Sequence, residues 1–235
     1  RRQRQMCIRD SFKIPNKFKK SIILIGNFDG LHSGHQKLFE LAKKYKTKYK
    51  SKVGVVTFDP IPKMFFNTKI KNYRISNFNQ KVIYLKKFGV DFVINKKFDK
   101  NFSKINYHKF IKDILSRKLR SKFIFVSNNF RFGHKREGDV AQLKKYENDF
   151  GYNLINPTPL MKNKKIISST IIRKLLEEGK LSKANTFLKR NWEIEGKVQR
   201  GRMMGQKIGF PTCNIDIGNY VIAKPGVYAV KTRIN

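Results

Sequence analysis

Short aliphatic runs alternate with amphipathic stretches along most of this chain, and that alternation restricts it to a parallel α/β sheet. "IILI" at 22–25, "SKVGVVTFDP", "VDFVI", "KFIFVS" and "YNLINP" each read as a buried strand, rich in β-branched and aromatic residues. Between them, Leu38, Leu41 and Ala42 recur at helical spacing, as do Phe78, Val82, Leu85 and Phe88, with Gly89 as a stop. Phe110, Ile111, Ile114 and Leu115 form a third stripe, and "VAQLKKYENDFG" predicts a further helix. In such sheets ligands bind beyond the carboxyl ends of the strands. The first, second and fourth strands run into "GNFDGLHSGH", "DPIPKMFF" and "NNFRFGHKREGD", loops rich in Gly, Pro or polar residues. The site is expected there.

From Ile167 the pattern changes. "ISSTIIRKLLEEGKLSKANTFLKR" predicts two short helices, the first capped by Ser168 or Ser169 and ended by Gly179. Beyond it the chain is glycine-punctuated and strand-like, so a boundary is placed between Arg190 and Asn191. The opening "RRQRQMCIRDS" differs in composition from the rest and reads as a non-native, adapter-like segment; a basic leader is the rival, but no apolar segment follows it. The expected division is 1–11, 12–190 and 191–235, with the fold starting near Phe12.

The net charge of +37, from 53 Lys+Arg against 16 Asp+Glu, fits either a polyanionic partner or a general drift in codon usage. The lysines are spread along the whole chain, which favours drift and predicts no specific nucleic acid. Two cysteines offer no disulfide framework, and no apolar run approaches the roughly 18 residues of a membrane span. A cytoplasmic protein without a membrane partner is expected.

Within "GNFDGLHSGH", His32 and His35 fall at a helix start, where free backbone N–H groups and the helix dipole favour anions. Gly26, Gly30 and Gly34 would let backbone approach a nucleotide closely. In "ISSTIIR", Ser168, Ser169 and Thr170 stand at a second helix start, with Arg173 one turn along. Hydroxyls, N–H groups and a guanidinium there suit a triphosphate; the same string also fits an ordinary cap followed by an exposed arginine.

The H-x-G-H string, followed in order by "TFDPIP", "FRFGHKREGD", "ISSTIIR" and "GFPTCN", resembles the bifunctional riboflavin kinase/FAD synthetase family over roughly residues 22–233. The resemblance implies a Rossmann-like nucleotidyltransferase domain with a parallel sheet, followed by an incomplete all-β riboflavin kinase barrel. It implies transfer of AMP from ATP to FMN, giving FAD and pyrophosphate, together with riboflavin phosphorylation in the full-length protein. ATP, FMN and riboflavin would be the substrates and Mg²⁺ the cofactor. His32, His35 and Arg173 would be catalytic. Gly26, Asn27, Phe28, Asp29, Gly34, Ser168, Ser169 and Thr170 would bind ATP. Phe58, Pro60, Asn129, Phe130 and Phe132 would line the flavin side. Gly209, Thr212 and Asn214 would serve the kinase ATP, with Thr212 and Asn214 as metal ligands.

The chain departs from the family at Ile61, where a His is usual, and at Ser127 and Asn129, where G-x-D-F is usual. Flavin affinity and rate are where these changes should tell. Residues 191–235 are few for a whole barrel, and the acidic residues among them, Glu193, Glu195 and Asp216, stand near or before the P-T-x-N string. A shortened, inactive kinase half is therefore expected. The rival function is a decayed flavin- or RNA-binding protein without turnover.

Overall fold

A computed structural model describes residues 6–162, 165–201 and 204–234. Its centre is a six-stranded sheet built from β1 (Cys7–Arg9), β2 (Ile22–Ile25), β3 (Val53–Asp59), β4 (Phe92–Lys97), β5 (Phe123–Phe125) and β6 (Asn153–Ile155). The spatial order is β1-β4-β3-β2-β5-β6, and every neighbouring pair is parallel. The order reverses between β2 and β5, so the loops leaving these two strands open a crevice at the carboxyl edge.

Strand side chains alternate between two buried faces, which is why the runs are apolar throughout. Ile23, Ile25, Val56, Ile94 and Ile124 join one core cluster with Phe110, Ile111, Ile114 and Leu115. Ile22, Leu24, Val55, Val93 and Phe125 join the other with Leu38, Phe39, Ala42 and Leu85. The expected helical stripes thus meet the sheet from both sides. They belong to the helices Ser33–Lys48, Phe78–Lys87 and Tyr107–Lys109, the last running on into the wider-wound Phe110–Lys118.

Four expectations need correction. The fold does not wait for Phe12: Cys7–Arg9 pairs with Phe92–Ile94 at the sheet edge, whereas residues 1–5 of the adapter-like segment lie outside the described residues. The "DPIPKMFF" loop contains the short helix Pro62–Phe66, started by Pro62 in its first turn. On helix Phe78–Lys87 the inner face buries Gln80 and Lys81 beside Leu85. The strand-like tail carries the helix Met204–Lys207, and its two-stranded ribbon pairs only Val198–Gln199 with Asn214–Ile215.

A third core cluster joins Ile75, Ile172, Leu176, Ala184, Leu188 and Val221, with Trp192 packed against it. It crosses the expected boundary at 190. Trp192 Nε1 donates to Ile75 O at 2.9 Å, and Tyr220 Oη donates to Gln80 Oε1 at 2.8 Å.

Candidate active site

The turn after β2 winds through left-handed backbone at Phe28 (φ 46°), Gly30 (φ 75°) and Leu31 (φ 40°). Only Gly30 is suited to that region by its lack of a side chain, and a Cβ there would meet Ile75 Cγ2 at 2.8 Å. His32 then caps the helix Ser33–Lys48 with extended backbone, and His35 follows in its first turn. Their rings stack at 3.7 Å between centroids, 21° from parallel. The missing side chains of Gly26 and Gly34 make room for the protein's own rings: a Cβ would lie 3.2 Å from Phe28 and 3.1 Å from His32 Nδ1. Space for these rings, in addition to any approach by a nucleotide, accounts for the glycine spacing.

Both imidazoles are neutral near pH 7. Burial pushes His32 down to about 4 against the opposing pull of Asp29, with Arg173 and Arg190 adding to the fall. Burial, then His32 and Lys81, hold His35 well below the usual histidine range. Nδ1 of each ring is buried without a partner, as is Asn27 Oδ1. A neutral imidazole offers one N–H donor and one acceptor, so the pair can direct hydrogen bonds at phosphate oxygens without carrying charge.

Behind the loop, Asp29 and Arg173 form a buried ion pair at 2.6 Å. Asp29 also accepts from the backbone N–H of Ile75 and Ser76, and Arg173 Nε donates to Tyr73 O at 2.7 Å while its guanidinium lies over the Tyr73 ring. Arg173 is thus buried, and the exposed-arginine reading of "ISSTIIR" does not hold. Ser168 Oγ accepts from Ile171 N–H, Ser169 Oγ donates to Asp29 O, and Thr170 is exposed. Just beyond the helix Leu181–Leu188, Arg190 Nη2 donates to Gly30 O at 2.7 Å.

The loop opens on a cavity of about 810 Å³, whose lining includes Gly26, Asn27, Phe28, Asp29, His35, Ser169 and Arg173. Phe58, Ile61, Asn129, Phe130 and Phe132 line it as well; Pro60 is not among the lining residues. Phe130 and Phe132 stack at 5.4 Å, and Phe58 packs on Phe98 and Phe102. Ile61 is buried in the wall, and Asn129 Oδ1 accepts from Ser127 Oγ. Residues that the sequence reading did not single out also line it, among them Lys63, Tyr73, Phe98, Phe102 and Arg136, and Phe66, which is left 67% exposed. Gly209 (φ 84°), Thr212 and Asn214 lie far along the chain in the exposed tail, and none of them lines this cavity.

Residues 14–171 match the family model described as FAD synthetase. The chain belongs to the FAD synthetase family. Residues 188–235 match a second model, described as riboflavin kinase. A Buchnera aphidicola (subsp. Schizaphis graminum) protein named bifunctional riboflavin kinase/FMN adenylyltransferase is 40% identical over 212 residues, 90% of this chain and 68% of its own length. The Escherichia coli (strain K12) protein of the same name is 36% identical over 210 residues, covering 89% and 67%. A solved Streptococcus pneumoniae structure, described as a macrolide-efflux protein, superposes with a TM-score of 0.80 at 27% identity, covering 95% of this chain and 73% of that one. This FAD synthetase family member therefore has both the expected Rossmann-like sheet domain and the start of a kinase-type segment. Among its described residues, no helix is long and apolar enough to cross a membrane.

Proposed function

We propose that this chain transfers AMP from ATP to FMN, giving FAD and pyrophosphate, and that residues 191–235 supply part of a riboflavin kinase. The observation that carries the reading is a pair of stacked, neutral imidazoles at a helix N-terminus, His35 lining an aromatic cavity and the buried His32 stacked against it. In adenylyl transfer an oxygen of the FMN phosphate attacks the α-phosphorus, and the bond to the departing pyrophosphate breaks. Charge spreads over phosphate oxygens, so positioned donors lower the barrier most. His32, His35 and the free N–H groups of the helix start are the donors; Gly26, Asn27, Phe28, Asp29, Gly34, Ser168, Ser169 and Thr170 shape the ATP side. Arg173 adds positive potential behind the phosphates while it holds Asp29. Phe58, Asn129, Phe130 and Phe132 face the flavin, Pro60 setting the turn beside them.

Mg²⁺, when bound, neutralises phosphate charge. Among the described residues no cluster of three or more His, Cys, Asp or Glu could cage a metal, which fits an ion held chiefly by the nucleotide. The unpartnered Asn27 Oδ1 is a hard oxygen of the right kind on the adenylyl side, and Thr212 and Asn214 offer the same chemistry beside Gly209 in the kinase segment. The reading divides the chain near 190, places it in the cytoplasm, where Cys7 and Cys213 stay free, and gives it no specific nucleic-acid partner.

Incubation with FMN, ATP and Mg²⁺, with the products separated by chromatography, tests the proposal. FAD and pyrophosphate should appear in equal amounts. Binding of both substrates without either product would overturn it.

A further inference from the structure

Lys81 lies on the inner face of helix Phe78–Lys87 and is only 1% exposed. Its Nζ has one hydrogen bond, to Thr57 Oγ1 at 3.3 Å. Thr57 Oγ1 donates in turn to Asn27 O at 3.2 Å, and Asn27 lines the cavity beside His35. Two carboxylates lie near enough to favour the charged ammonium, Asp29 and Asp59, but both are already partnered: Asp29 by Arg173 and Asp59 by Arg74. Three buried or half-buried cations therefore share two carboxylates, and Lys81 is the one left without an ion pair among the described residues. An unpaired buried ammonium is costly, and the cost falls when an anion arrives close by.

Resting on the adenylyl-transfer reading, we propose that Lys81 is a positioning residue for the nucleotide: its surplus buried charge, relayed through Thr57 and Asn27, presets the Gly26–Gly30 loop for a polyphosphate. Lys81 does not line the cavity and does not touch the ligand; it acts through the hydroxyl and carbonyl in between. After burial and the neighbouring His32, its charge also opposes protonation of His35.

Burial lowers Lys81 to about 8, with Asp29 and Asp59 resisting the fall and Arg74 adding to it. Polyphosphate binding favours the charged form, so nucleotide binding above neutral pH should draw a proton onto Lys81. The other groups that face this region are the ion pairs Asp29–Arg173 and Asp59–Arg74, the rings of His32 and His35, which burial pushes well below the usual histidine range, and Tyr84 on the same helix, which burial raises above its usual value.

The test is calorimetry of ATP binding to the whole chain near pH 8.5, in buffers of differing ionisation heat, for the wild type and Lys81→Met. The wild type should take up a proton on binding ATP, and its ATP affinity should fall about tenfold from neutral pH to about pH 9.5, the equivalent of one pKa unit. Lys81→Met should bind ATP about tenfold more weakly at neutral pH, with a flat pH profile and unchanged FMN affinity. Wild-type binding without proton uptake overturns the proposal even if the variant does not fold. So does a variant that keeps wild-type ATP affinity, or one that loses ATP and FMN affinity alike. FAD synthesis by the wild type is scored separately, so a protein that binds ATP with proton uptake but makes no FAD sinks the adenylyl-transfer reading and leaves the Lys81 result standing.

Discussion

Residues 6–190 and residues 196–218 solve the same problem, burying apolar side chains, with opposite success. In the sheet domain Ile22, Ile23 and Leu24 are fully buried, because their strand, β2, has neighbours on both edges and apolar clusters packed on both faces. In the tail, Val198 is 67% exposed, Ile208 70% and Phe210 76%, because a ribbon of two-residue strands covers neither face. Between the two regions lie anchors: Trp192, Tyr220 and Val221 dock onto the segment around Ile75, which also holds Asp29. The buried pair Asp29–Arg173 is thus set among the sheet domain and these anchors, and no residue of 196–218 lines the cavity.

The largest expected effect concerns the ion pair beneath the loop. Arg173→Ala leaves Asp29 buried with an uncompensated charge, and should cost about 3–5 kcal/mol of stability while weakening ATP binding and turnover together. Denaturant unfolding with parallel ATP titration measures both. A variant as stable as wild type would mean that Asp29 finds its partners elsewhere and that the domain does not depend on this pair.

Next come the imidazoles. His32→Ala or His35→Ala should lower turnover by roughly 10²–10³, the scale of losing one preorganised donor, with little loss of fold. Because burial keeps both rings neutral, NMR titration of the free protein should show neither His32 nor His35 taking up a proton near pH 6.5, and His32 doing so only toward about pH 4. Protonation of either ring between pH 7 and 6, the range of an unperturbed histidine, would place these rings in open solvent.

Much of this was legible in the sequence, for physical reasons that also mark where legibility stops. The continuous apolar runs of β2 and β3 and the stripe Phe110, Ile111, Ile114 and Leu115 are local patterns, and the structure keeps them. The position of the histidine pair at a helix start was legible because spacing and local sequence alone set it. Lys81 was not legible: it stands in "QKVIYLKK" among other lysines, and only packing beneath Thr57 separates it from the exposed Lys86 and Lys87. The Asp29–Arg173 pair and the Arg190 contact with Gly30 join residues more than a hundred positions apart, which no local period records. Cys7–Arg9 was set aside on composition, although its pairing depends only on backbone and on a free edge of β4.

A smaller effect should separate the tail from its anchors. Limited proteolysis should cut first within 196–218, and the segment around Tyr220 and Val221 should remain associated, since both are almost fully buried. Trimming that runs straight back to Arg190 would mean that the anchors do not hold in solution.

The most direct measurement compares two flavins with one protein. The intact chain is incubated with ATP and Mg²⁺ and either FMN or riboflavin, and the flavin products are separated. With adenylyl transfer complete in the sheet domain and Thr212 and Asn214 standing exposed on an uncovered ribbon, FMN should be converted to FAD while riboflavin stays unphosphorylated. FMN formed from riboflavin at a comparable rate, or no FAD formed from FMN, would contradict this division of labour.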